Sequence, residues 1–158
     1  MTKPHLIRYA FVRPAWSVPH DLAATEKLID RCALMWSKAI GRDIVDIIRA
    51  EHSYDADWLL GFAEHPGFPT FNGRCEVAGP IKRITFDPRS HWEITRWQRL
   101  LGRMGGQSFI ATCLHEMGHA LGLRHGQGDN MAEIPVNEQV TFFSAAAARS
   151  IYTPSFPQ

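Results

Sequence analysis

Between Cys113 and Pro135 the chain reads CLHEMGHALGLRHGQGDNMAEIP, and the spacing within that stretch restricts the fold more than any other part of the sequence. His115 and His119 are four residues apart, so on a helix their imidazoles share one face, one turn apart, with both rings able to reach a single ion. Glu116 lies beside them, outside that ligand geometry. Gly122 can adopt the positive φ that ends a helix in a sharp turn, which swings His125 back toward the first two histidines instead of carrying it away along the axis. Three nitrogen ligands and one open position are the arrangement of a catalytic zinc site, whereas a structural site more often fills all four positions, with cysteines among them. The chain is therefore expected to present a helix from about Ser108, a cap that follows Gly105 and Gly106, to Gly122, and then to return beneath it. A lone histidine on an apolar helix face is ordinarily a core residue satisfied locally. His-Glu-x-x-His, however, arises by chance in only roughly one window in 8,000, and Gly122 and His125 make coincidence rarer still. The other five histidines, His5, His20, His52, His65 and His91, are scattered and read as surface residues.

The 158 residues, 45% hydrophobic, supply one core and therefore one domain, residues 1–158. A formal net charge of +1, from 17 basic and 16 acidic side chains, gives no long-range field suited to nucleic acid or an anionic membrane. No run has the apolar length of a membrane span, and MTKPHLIRYAFVRPAW lacks the long apolar core of a secretory signal. The compartment stays open: secreted if the chain has been trimmed, cytoplasmic otherwise. Cys32, Cys75 and Cys113 are odd in number and far apart, which excludes a disulfide framework and a cysteine-based zinc site. Alternation and turn residues predict strands over 5–12, 43–50, 57–63, 74–78 and 81–87. An amphipathic helix is expected over 21–40, capped by Asp21 and closed by Gly41, with Leu28, Cys32, Met35, Trp36 and Ala39 on its buried face. Residues 90–106 read as either a short helix or an irregular loop, with Arg96, Arg99 and Arg103 on a solvated basic face. The segment 141–151 is rich in helix formers and is expected to turn Phe142, Ala146 and Ile151 inward.

HEMGHALGLRH followed by Met131 resembles the extended zinc signature and Met-turn of the metzincin metallopeptidases. Within that clan the chain is most similar to the matrixins, the catalytic domains of matrix-metalloproteinase type. The similarity is carried by CALMWSKAIGRDI (32–44), YDADWLLGFA (54–63), ITFDPRSHW (84–92) and FIATCLHEMGHALGLRH (109–125). The resemblance implies an α/β (α+β) fold: a five-stranded twisted mixed sheet with one antiparallel edge strand lining the cleft, a backing helix, an active-site helix and a small C-terminal subdomain with one closing helix. The upper subdomain would span about residues 1–125 and the lower about 126–158. It further implies a zinc-dependent endopeptidase with one catalytic Zn2+ on His115, His119 and His125, Glu116 as general base, and Met131 packed beneath the imidazoles.

The sequence departs from the matrixin pattern in several places. Gly126 replaces the usual serine after the third ligand, and the absence of tyrosine at Ala132 and Glu133 disfavours the astacin and serralysin branches. A second, structural zinc is not expected, because Phe71-Asn72-Gly73 and Thr85 stand where its ligands would be. Calcium is expected to be weak or absent: Asp87 matches one aspartate of the family's calcium site, but Ser90 and His91 replace further acids. GRCEVAG (73–79), including Val77 and Ala78, is the candidate edge strand on which an extended peptide adds. Ala111, Pro135 and Asn137 match positions around the family's primed-side pocket, and small Ala111 leaves it open for an apolar residue. Arg74, Cys75 and Val77 echo the Arg-Cys-x-Val core of the matrixin propeptide, but inside a strand, so Cys75 is expected to be inert. The expected partner is a peptide or protein substrate of a monomer, with no nucleic acid and no membrane span. The alternative is a non-catalytic zinc-containing peptide- or protein-binding module, which would have no need of a base at Glu116.

Overall fold

The computed structural model describes residues 2–100 and 106–153. β1 (His5–Phe11) alternates as its sequence predicts, burying Ile7 and Tyr9 while Leu6 and Arg8 face out. It pairs in parallel with β2 (Val45–Arg49) on one side and β3 (Trp58–Phe62) on the other. β4 (Gly73–Glu76) lies at the edge, antiparallel to β5 (Lys82–Phe86), which in turn runs parallel to β3. The chain is thus α/β, with a five-stranded mixed sheet in the order β2-β1-β3-β5-β4.

The apolar face of the sheet is covered by helices. α1 (Leu22–Ile40) starts where the Asp21 carboxylate accepts the Ala24 N–H at 2.9 Å and ends at Gly41, whose φ of 110° suits only glycine. Leu28, Ile29, Cys32, Ala33 and Trp36 form its buried face, and Met35 and Ala39 are half-buried. After β6 (Trp92–Glu93), α2 (Arg96–Leu100) and β7 (Gln107–Ser108), α3 (Phe109–Ala120) packs against α1, where the Trp36 indole N–H donates to the Leu114 carbonyl at 3.0 Å. Phe86, Trp92 and Phe109 meet at ring separations of 4.6 to 6.1 Å and pin the start of α3 to the sheet. Arg96 is exposed and Arg99 half-buried, and Arg103 lies outside the described residues.

α4 (Phe142–Tyr152) forms where the sequence predicts, with the Thr141 hydroxyl as its cap, but its inward face differs from the expectation. Phe142 is 77% and Ile151 47% exposed and Ala146 is half-buried, whereas Ser144, Ala145 and Ala148 are buried. The reason is steric. The helix lies so close to the preceding loop that a Cβ built on Gly128 would fall 2.6 Å from Ser144 Cα, which leaves no room for a phenyl ring. Arg149 anchors α4 by donating to the Ala39 and Ile40 carbonyls at the end of α1, at 2.8 and 3.0 Å. His20 and His65, expected at the surface, are half-buried, and His20 stacks on Phe62 at 5.1 Å because the turn before α1 crosses the end of β3. Among the described residues, no helix is long and apolar enough to cross a membrane.

Candidate metal centre

α3 carries the first two histidines into the centre of the molecule. Its N-cap Ser108 accepts the Ala111 N–H at 3.1 Å, and it closes with Gly122 at φ 104° and Leu123 N–H donating to the Gly118 carbonyl at 2.9 Å. That turn reverses the chain within a few residues. Gly126 N–H then bonds the Met131 carbonyl at 2.9 Å, closing a loop in which His125 faces α3. The three imidazoles converge: His115 Nε2 lies 3.1 Å from His119 Nε2 and 3.2 Å from His125 Nε2. Among the described residues this is the one group of three or more histidine, cysteine or acidic side chains with converging donor atoms.

The chemistry of these contacts fits a metal. His115 Nδ1 is 2.8 Å from the Asn130 carbonyl and His119 Nδ1 is 2.9 Å from the Leu123 carbonyl. A carbonyl oxygen only accepts, so each proton sits on Nδ1 and each Nε2 presents a lone pair. Two lone pairs 3.1 Å apart repel each other unless a cation lies between them. A tetrahedral first-row ion with metal–nitrogen bonds of about 2.0–2.1 Å sets its ligand nitrogens roughly 3.3–3.4 Å apart, close to the observed spacing. The backbone carbonyls are the outer partners that fix ring orientation in such sites. Burial, against those hydrogen bonds, holds His115 down at about 4 and lowers His119 as well, so both rings are neutral ligands at ordinary pH.

Glu116 is only 5% exposed, and burial alone pushes its carboxyl up to about 8. Its position depends on Gly73 of β4, where a Cβ would fall 2.7 Å from Thr112 Cγ2 and 3.2 Å from Glu116 Oε1. Met131 is fully buried under α3. A Cβ on Gly118 would come within 3.2 Å of Met131 Cε, so the thioether fills the space a larger residue at Gly118 would need.

A cleft of about 1080 Å³ runs over these residues, lined also by residues of β4 and by Ile134 and Pro135 of the loop after Met131. Of the residues expected from sequence to contact a substrate, Val77 and Pro135 line it. Ala78 is exposed beyond the end of β4, Asn137 is half-buried off the lining, and Ala111 is buried off the lining, which Thr112 joins instead. Cys75 also lines the cleft as a neutral thiol, pushed up to about 12 by burial and then by Glu116. Asp87 is buried with its carboxylate accepting from Arg89 N–H at 3.0 Å and the Ser90 hydroxyl at 2.8 Å, so its oxygens serve the loop after β5.

Sequence reasoning missed Asn130, a buried residue whose amide donates to the Gln139 carbonyl at 2.8 Å and accepts the Thr141 N–H at 2.7 Å, tying α4 to the carbonyl that holds His115. Its one signal is a polar residue directly before Met131, which any turn would also supply. Lys82 and Arg124 are also on the lining, where only the fold places them. No family model and no curated protein matches the chain, so the centre is read from its own residues.

Proposed function

We propose that the chain is a zinc-dependent endopeptidase of metzincin, matrixin-like type. Glu116 carries this reading: a buried carboxyl group next in sequence to His115, on the lining of the cleft. Folding retains such a costly group where chemistry uses it. Zinc is the ion that best suits three neutral imidazoles at near-tetrahedral spacing with no carboxylate ligand. When bound, it supplies Lewis-acid activation of water and of the scissile carbonyl.

The remaining steps belong to the chain. The outer edge of β4 offers unpaired backbone groups that hold a substrate extended across the cleft. Glu116 takes the proton of the attacking water and hands it to the departing amine nitrogen. The Asn130 carbonyl keeps His115 fixed while charge moves. Ile134 and Pro135, on the lining of the cleft, favour an apolar side chain on the primed side. The test is cleavage-site mapping in a denatured peptide library. Cleavage that a tight chelator abolishes and added zinc restores supports the reading. Metal-loaded protein that binds peptides but leaves them intact makes the chain a binding module.

A further inference from the structure

We propose that Lys82 and Arg124 form a cationic subsite at one end of the cleft, which selects an acidic side chain upstream of the bond facing Glu116. The inference rests on the cleft being a peptide-binding groove and names the peptide it prefers.

Both cations are placed by the fold. Lys82 opens β5, and its ammonium donates to the Ala120 carbonyl at 2.9 Å, which fixes it at the C-terminal end of α3. Arg124 follows Leu123, whose carbonyl holds His119, and precedes His125; its own N–H donates to Gln127 Oε1 at 2.6 Å. Its side chain is exposed, and both residues line the cleft.

Two carboxylates, Glu116 and Glu133, line the same cleft. Glu116 is packed against Gly73, at the end of β4 away from Lys82, and Glu133 reaches the lining beside Ile134 and Pro135. Glu76, the acid on β4 itself, is off the lining and lies 3.9 Å from Arg74, a third cation that does line it. With a formal charge of only +1 on the whole chain, this concentration is local and does not reflect a generally basic surface.

Strand direction converts the charge into a sequence preference. β4 runs from Gly73, opposite Phe86 and against Thr112 and Glu116, to Glu76, opposite Arg83 and next to Lys82. A peptide adding to its free edge takes the more stable antiparallel pairing, so its N-terminal part lies at the Lys82 and Arg124 end. The residue met by the two cations is therefore N-terminal to the bond at Glu116.

The experiment measures binding to zinc-loaded Glu116→Gln protein by fluorescence anisotropy. The probes are peptides in which one glutamate is scanned from upstream to downstream, with glutamine versions as controls. An upstream glutamate is expected to bind about three- to fivefold tighter than its glutamine control at about 50 mM salt, with the gap closing at about 500 mM. Arg124→Glu, with zinc content verified, should reverse the preference, and Lys82→Gln should weaken it. Equal affinities, a preference for downstream glutamate, or an unchanged preference in Arg124→Glu would overturn the proposal. Incubating the parent protein with the same peptides separates the two readings. Tight, charge-selective binding without cleavage sinks the peptidase and keeps the subsite, cleavage without acidic preference sinks the subsite alone, and absence of binding by every peptide sinks both.

Discussion

The two halves of the candidate metal centre are built on opposite principles. His115 and Glu116 sit on α3, 4% and 5% exposed, between α1 and the edge strand β4, so helix hydrogen bonds and apolar packing fix them together. His125 is exposed on a loop that needs positive φ at Gly122, Gly126 and Gly128 (104°, 86° and 90°) and is closed by a few polar contacts, chiefly those of Asn130. The helix half is shaped by the same core that makes the sheet. The return half depends on a network in which each missing partner strands a buried polar group. Metal binding can therefore be lost through the return half while the sheet and its helices stay folded.

Gly128→Ala strikes that contrast hardest. The new Cβ would need a backbone conformation alanine rarely adopts and would press on Ser144 Cα at 2.6 Å. The variant should lose stoichiometric metal by elemental analysis and melt more than about 10 °C lower; retention of both properties would mean that the loop is not held as described. Asn130→Ala comes next. It leaves the Gln139 carbonyl and Thr141 N–H without their partner, at about 2–3 kcal/mol, and should weaken metal affinity about tenfold or more by loosening the carbonyl that orients His115.

The matching change in the helix half is Ile110→Val, at a fully buried position on α3. It should cost about 1 kcal/mol in denaturant unfolding yet leave metal affinity within about twofold. If Ile110→Val and Asn130→Ala weaken metal binding equally for their loss of stability, the division between the halves is wrong. A smaller effect far from the centre concerns pH. Burial lowers His20 below its ordinary 6.5, so the unfolded chain takes up a proton more readily than the folded one. The stability this neutral ring contributes is present above 6.5 and is lost as pH falls from there toward the lower folded value. His20→Phe should flatten the slope of melting temperature between pH 7 and 5 by about two degrees, a difference visible in paired calorimetric scans.

Local spacing made the helix half legible in sequence. The four-residue offset of His115 and His119, the caps at Asp21 and Ser108 and the stop at Gly122 all act within one or two turns, and they stand where expected. β1 to β5 fall inside the expected runs or extend them by one residue, since alternation is also local. The inward face of α4 was not legible. Hydrophobicity favours Phe142 and Ile151, but the approach of Gly128 to Ser144 selects Ser144, Ala145 and Ala148. Likewise a step of one residue on α3 puts Thr112 on the lining while Ala111 is buried off it. Asn130 and Lys82 find their partners between 9 and 38 residues away, a distance over which periodicity says nothing.

The proposed chemistry depends on Glu116 acting beside three fixed imidazoles, and Glu116→Gln isolates that role because the amide keeps the shape and removes the base. Parent and variant should bind one metal ion with equal affinity, while turnover of a peptide identified from the library falls by about 10²-fold or more. A metal-loaded Glu116→Gln protein that cleaves the peptide as fast as the parent would contradict the account.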